Sequence, residues 1–298
     1  ADFTRKNSGS RQNLRGSTKG TTMKISMWTA FLVEETPENA IATLAECGYR
    51  YAEFSDEHGK ILMDQPDPLY AADELAKFAA DRSFALEQGH LHLTADIAHP
   101  DPATRRAFLD FLKKELEVYE RIGVRAAVLH CGGKAVFTGE MTPEAAETLN
   151  VESLSTLCRS IAGSRIRIAI ENLSRLTQSA ADLLRIIAKV DRPELGICLD
   201  TGHLNLVQGD PAVFIDQAGD KLIALHIADN LGNADHHMFP CGRGSVNWIA
   251  FMRKLKSSSY RGLFNFEVPG ERNCPTPAIR KLKLKYALEL GRLMFDIV

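Results

Sequence analysis

From Lys24 to the C-terminus this chain alternates short apolar runs with longer amphipathic stretches, and that rhythm restricts the fold more than any other property. The runs are KISMW (24–28), YRYAEF (49–54), FALEQGHLHL (84–93), RAAVLH (125–130), RIRIAIE (165–171), ELGICLD (194–200), LIALHIAD (222–229) and GLFNFEV (262–268). Between them lie helical patterns. Thr36–Pro37, Asp101–Pro102 and Thr142–Pro143 each pair a capping residue with proline at the first helical position. Further helices are expected near 68–82, 179–190, 246–256 and 276–294, with an irregular helical stretch before 222. Strand–helix alternation gives a parallel sheet with right-handed crossovers. Eight such units in roughly 275 residues predict a single-domain α/β fold, a closed (β/α)8 barrel. An open doubly wound sheet would place a glycine-rich phosphate turn after the first strand, and none is there.

Charge and cysteine content narrow the function classes. A formal net charge of −2 provides no basic field for nucleic acid or a membrane surface. No apolar stretch approaches the ~18 residues of a membrane span. The cysteines Cys47, Cys131, Cys158, Cys198, Cys241 and Cys274 are scattered without a C-x-x-C pair, which fits reduced thiols in a cytoplasmic protein. Residues 1–22 are rich in Ser, Gly, Arg and Lys and have no apolar core. They read as a disordered leader or expression remnant, so the barrel is expected over 23–298.

The last four apolar runs end on metal-ligand side chains. Glu171, Asp200, His226 and Glu267 close the fifth to eighth strands in turn. Charge at the end of a buried strand must be paired, bound to a cation or used in chemistry. A barrel brings the C-terminal ends of its strands to one mouth. Three carboxylates and an imidazole there make a hard, mostly oxygen site suited to Mn2+, Mg2+, Co2+ or Zn2+.

Other candidates stand on the remaining strands. His90 and His92, two apart, are expected to project to the same side of the third strand. Glu53 ends the second strand, His130 the fourth, and His203 lies three residues after Asp200. Asp229 lies in HIADN, and Asp235 and His237 precede a Gly242-x-Gly244 turn in which Arg243 could grip a substrate anion. His99 and His236 read more simply as structural imidazoles. Cys131 and Cys241 near the mouth read as packing rather than nucleophiles. Trp28, Phe31 and Trp248 are aromatic candidates for either a pocket wall or the core.

Taken together, IEN with Glu171, LDTGH with Asp200 and His203, HIADN with His226, Asp235-x-His237 before the glycine turn, and FEV with Glu267 are a recognisable set. From Met23 onward the chain resembles the xylose isomerase-like TIM-barrel superfamily, which includes sugar phosphate isomerases and epimerases and apurinic endonucleases of family 2, the endonuclease IV type. The isomerase and epimerase members imply Glu171, Asp200, His226 and Glu267 as ligands of one divalent ion. They also imply Glu171 and Glu267 as the pair that removes and returns a proton next to a carbonyl, through an enediolate. His203 would then orient substrate oxygens. The endonuclease members imply a multi-zinc cluster, for which His90, His130, Glu171, Asp200, His203, His226, Asp235, His237 and Glu267 match the pattern. His90 is preferred to His92 because the spacing to His99–Pro100 agrees.

The first strand, KISMWTAF, lacks the histidine-containing, glycine-rich opening of those nucleases. The leading expectation is therefore a metal-dependent sugar, sugar phosphate or polyol isomerase or epimerase. A lyase, dehydratase or C-glycoside deglycosidase on the same scaffold, an abasic-site phosphodiesterase and a non-catalytic sugar-binding subunit are the alternatives. The expected partner is a small sugar, with no nucleic acid and no membrane; a homo-oligomer is compatible with the sequence.

Overall fold

The computed structural model describes residues 23–173, 176–270 and 276–297, so the leader expected over 1–22 lies outside the described residues. Eight parallel strands form the centre: β1 (Lys24–Trp28), β2 (Tyr51–Phe54), β3 (Ala85–His90), β4 (Ala126–Leu129), β5 (Arg167–Glu171), β6 (Leu195–Asp200), β7 (Leu222–His226) and β8 (Leu263–Phe266). Ladders join them in the order β7-β6-β5-β4-β3-β2-β1-β8. β7 and β8 meet through a parallel bridge between Ile227 and Phe266. There Ile227 N–H donates to the Asn265 carbonyl at 2.7 Å, and Glu267 N–H donates to the Ile227 carbonyl at 3.2 Å. The (β/α)8 barrel expected from alternation is the observed architecture.

Helices cover the outside. In chain order they are α1 (Pro37–Glu46), α2 (Asp56–Met63), α3 (Pro68–Ala80), α4 (Pro102–Ile122), α5 (Lys134–Phe137), α6 (Pro143–Ser160), α7 (Ala180–Val190), α8 (Thr201–Leu206), α9 (Pro211–Ala218), α10 (Trp248–Ser257) and α11 (Pro277–Asp296). Thr36, Asp67, Asp101, Thr142, Asp210 and Thr276 cap helices whose first turn begins with proline. Each such cap satisfies a backbone donor that would otherwise cost ~1 kcal/mol. The apolar stripe of α7, Leu183, Ile186, Ile187 and Val190, is buried against the barrel, as are the outward-facing Ile168, Ile170, Ile197 and Leu199 of β5 and β6. Each large side chain so buried contributes roughly 1.5–3 kcal/mol. Among the described residues no helix is long and apolar enough to cross a membrane.

Two expectations change. Helices α2, α5 and α8, with 8, 4 and 6 residues, follow β2, β4 and β6 in addition to the outer layer. They are too short to show a helical period, although Ser55 followed by Asp56 and Glu57 is a capping signal. Strand β3 stops at His90, so His92 lies beyond it and does not share its face.

Candidate metal centre

Small side chains floor the site. Ala126 and Val128 of β4, Ala169 of β5, Cys198 of β6 and Ala224 of β7 form an apolar cluster apart from the main core. Two residues beyond the last of these on β5, β6 and β7, and so on the same face, stand Glu171, Asp200 and His226, and His130 directly follows β4. Glu267 follows β8 directly. Glu171, Asp200, His226 and Glu267 are 1, 0, 0 and 7% exposed, and one ligand atom of each lies within 4.8 Å of all the others.

These atoms face one another without bonding. His226 Nδ1 stands 3.0 Å from Glu267 Oε2, 3.4 Å from Glu171 Oε1 and 4.0 Å from Asp200 Oδ2. None of the four atoms has a hydrogen-bond partner, although all are buried. An unpartnered buried carboxylate oxygen is costly. Three such oxygens and one imidazole nitrogen facing one another have the chemistry and spacing of a divalent-cation site.

The remaining oxygen and nitrogen atoms are used to aim these. Asp200 Oδ1 accepts the His203 N–H at 2.6 Å and so caps α8, leaving Oδ2 for the cluster. Asn172 clamps the Asp200 peptide, accepting its N–H at 2.8 Å and donating to its carbonyl at 2.9 Å. Thr201 Oγ1 donates to the Ala228 carbonyl at 2.7 Å, tying β6 to the end of β7.

Two further groups adjoin the first. His90 donates through Nδ1 to the Leu91 carbonyl at 2.8 Å, and its unpartnered Nε2 faces Glu171 Oε2 at 3.6 Å. His130 Nε2 stands 3.0 Å from the same oxygen. On the other side His203 Nδ1 is 3.0 Å from Glu171 Oε1, while its Nε2 and His237 Nε2 each lie 3.1 Å from Asp235 Oδ2. His237 donates through Nδ1 to the Glu267 carbonyl at 2.7 Å. Its backbone has φ +44°, a conformation a non-glycine residue holds only when its surroundings impose it. His90, His130 and Glu171 thus form one potential ligand group, and His203, Asp235 and His237 another.

Charge is balanced by competition between carboxylates and imidazoles. Burial would raise Glu171, but His226 and His130 beside it hold its carboxyl well below the usual range. Glu267, likewise buried, is brought down to about 2, chiefly by His226. Asp200 goes the other way, to about 7, because burial and the two glutamates outweigh His203. Burial opposes charge on the imidazoles too, yet the acids dominate: His90 rises to about 9, His237 to about 10, His203 to about 12 and His226 well above its ordinary value. His130 is the exception, lowered by burial. The cluster therefore attracts positive charge, whether protons or a metal ion.

Several candidates sit elsewhere. His92 bonds Asp56 Oδ1 at 3.0 Å and Thr94 at 2.9 Å, outside the cluster. His99 accepts the Asp101 N–H, and His236 is exposed. Arg243 is exposed and pairs with no described residue. Asp229 is structural: it accepts from Trp248 Nε1 at 2.7 Å and from two backbone N–H groups. A side chain at Gly244 would meet its carboxylate at 2.0 Å, which explains that glycine. Phe31 belongs to the core, whereas Trp28 keeps a buried, unpartnered indole N–H. Burial pushes the Cys131 thiol up to about 12, and Cys241 is raised as well, so neither has the character of a nucleophile. Sequence reasoning missed Gln88 and Asn265, amides inside β3 and β8, and Asn172, which directly follows β5.

Residues 41–290 match the family model of the xylose isomerase-like TIM barrel. The chain is 26% identical to the L-ribulose 3-epimerase of Methylomonas sp. (strain DH-1) over 250 residues, covering 81% of each. It is 25% identical to the 3-dehydroshikimate dehydratase of Pseudomonas putida over 180 residues, 56% of this chain and 27% of that one. A crystal structure of D-psicose 3-epimerase in the presence of D-fructose shares the fold, with a TM-score of 0.77 and 17% identity over 92% of this chain and 99% of that one.

Proposed function

The chain belongs to the xylose isomerase-like TIM-barrel family, and we propose that it is a divalent-metal-dependent sugar epimerase or isomerase that moves a proton next to a carbonyl. The observation that carries this reading is the convergence of unpartnered atoms from Glu171, Asp200, His226 and Glu267 on one buried point. Similarity to an L-ribulose 3-epimerase over most of both chains supports the sugar as substrate. Those four residues would hold the ion, with Mn2+ the first expectation and Zn2+, Co2+ or Mg2+ the alternatives. A bound divalent ion supplies positive charge against the negative charge that builds on the sugar's oxygens.

The protein's own groups do the rest. Glu171 and Glu267 each keep one oxygen free of hydrogen bonds in the cluster. One takes the proton from the carbon beside the carbonyl, leaving an enediolate, and the other returns a proton to the opposite face. His130 and His203, on either side of Glu171, bind and orient the sugar hydroxyls. Asp235 and His237 hold His203 in place from outside. Arg243, exposed at the glycine turn, is available to a phosphorylated substrate. Five free cysteines among the described residues agree with a reducing, cytoplasmic setting.

Incubating the protein with Mn2+ and a ketose panel in deuterated water tests the reading. Deuterium is expected at the carbon next to the carbonyl, and product formation without exchange rejects the proton-transfer route. Expulsion of a leaving group from the same enolate would instead mark a lyase, a variant supported by similarity to a dehydratase.

A second reading rests on the two flanking groups, which with the first make three potential ion positions, Glu171 belonging to two of them. It is phosphodiester cleavage at abasic DNA by a multi-zinc cluster. Three zinc ions per chain together with nicking of abasic DNA favour it; one ion per chain rejects it.

A further inference from the structure

We infer that Glu53, a residue with no place among the ligands, positions His226 by holding its Nε2–H and so makes Nδ1 the atom that meets the ion. The inference deepens the metal-dependent reading above and rests on it. Glu53, the last residue but one of β2, stands across the barrel from β7, is 0% exposed, and places Oε1 3.0 Å from His226 Nε2. The opposite ring atom, Nδ1, is the one that faces Glu171, Asp200 and Glu267.

The other carboxylate oxygen shows how the proton is placed. Glu53 Oε2 accepts from Gln88 Nε2 at 2.6 Å and from Asn265 Nδ2. Of the two amides, Gln88 has its orientation fixed from behind. Gln88 Nε2 also meets the Leu225 carbonyl at 3.2 Å, which can only accept, and Asn265 Oδ1 takes the Ser26 hydroxyl at 2.9 Å. Oε2 is thus the acceptor of both amides. With the carboxylate so oriented, Oε1 is left to accept from the ring. A neutral imidazole whose proton is on Nε2 offers its lone pair at Nδ1, and a carboxylate behind it raises that atom's basicity. Ser26, Asn265, Gln88 and Glu53 thus form a buried chain through the barrel interior that ends on one ring nitrogen.

Glu53→Gln tests this sharply. The new amide must turn its oxygen toward the two donors of Gln88 and Asn265, which points its NH2 at His226 Nε2. Two donors then oppose each other unless the ring proton moves to Nδ1, where it blocks the ion. Zn2+ affinity measured by calorimetry is expected to fall about 10–100-fold. In the Zn2+-loaded wild-type protein, 15N spectra should show the His226 proton on Nε2, assigned by its loss in His226→Asn. Gln88→Met removes one donor from Oε2 and leaves the Glu53–His226 contact, so its Zn2+ affinity should stay within about threefold of wild type even if its Tm falls.

Equal Zn2+ affinity in wild type and Glu53→Gln overturns the inference alone, as does a loss in Gln88→Met that matches Glu53→Gln. A wild-type protein that takes up no ion overturns the metal reading and this inference with it. Should Glu53→Gln not fold, the Zn2+-loaded wild-type spectrum decides: a His226 proton on Nδ1 refutes the positioning role.

Discussion

His226 Nδ1 and Glu267 Oε2 stand 3.0 Å apart at the end of adjacent strands and still make no hydrogen bond. Each atom is aimed past the other, toward a point also faced by Glu171 and Asp200. His226 is fixed from behind by Glu53, and Asp200 by the turn it caps. The ligands are thus oriented before any ion arrives, which is the arrangement that gives a metal site geometric selectivity.

Removing divalent ions with a chelator should lower Tm reversibly. Ligand present at a hundred times its Kd stabilises a folded state by about 2.7 kcal/mol. For a domain of this size that corresponds to roughly 5–10 °C. Differential scanning calorimetry with and without Mn2+ reads the shift, and identical transitions would contradict a bound ion.

Ion binding should release protons and tighten as pH rises. In the ion-free protein His226 is held well above its ordinary value and His203 rises to about 12, so both are cationic at neutral pH. A ligand imidazole must lose its proton to bind, and for each proton released the apparent affinity gains up to about tenfold per pH unit. Calorimetry in two buffers of different ionisation enthalpy gives the proton count. An affinity independent of pH between 6 and 9 would show the sign to be wrong.

Glu171→Gln and Glu267→Gln should each slow solvent exchange at the substrate carbon by about 10²–10⁴-fold. Their metal affinities should differ. Glu171 is approached by the imidazoles of His90, His130, His203 and His226, whereas Glu267 has those of His226 and His237. Glu171→Gln is expected to lose more ion, as read by metal analysis after gel filtration. Retained exchange in both variants would remove them from the proton-transfer role.

Glu115 of α4 offers a test of stability away from the centre. Its Oε2 accepts the His92 N–H at 3.0 Å, its Oε1 is unpartnered, and burial pushes its carboxyl up to about 8. A carboxyl raised on folding contributes stability below its unfolded value of about 4.5, and that contribution is lost as pH rises through about 8. Glu115→Gln should therefore be near neutral at pH 5 and stabilising at pH 9, by a few kcal/mol at most. Urea titrations at the two pH values measure the difference; a variant equally destabilised at both would refute it.

The barrel was legible because its signals are local and repeated. Thr36–Pro37 or Thr142–Pro143 marks a helix start whatever the rest of the chain does, and runs such as RIRIAIE have no other stable use than a buried strand. Glu171, Asp200, His226 and Glu267 stood out for the same reason, each being a charge or imidazole at the end of such a run. What the sequence hides is relation across the barrel. Nothing in YRYAEF says that Glu53 meets a ring 173 positions later, and nothing in Gln88 or Asn265 says which oxygen it serves. His92 shows the converse. Period-two spacing put it beside His90, but β3 ends two residues too soon, and the ring turns to Asp56 instead.

The bridge at Ile227 and Phe266 has a mechanical meaning. It is where the cylinder is thinnest in hydrogen bonds, and the residues on either side of it, His226 and Glu267, both belong to the candidate ion site. A cation held there would act as a rivet across the seam, adding its own bonds to the short ladder that joins the first and last edges of the sheet. Loading the ion and shutting the wall of the barrel would then be one event. The amides of Ile227 and Glu267 become its natural reporters, slow to exchange when the rivet is in and faster when it is out.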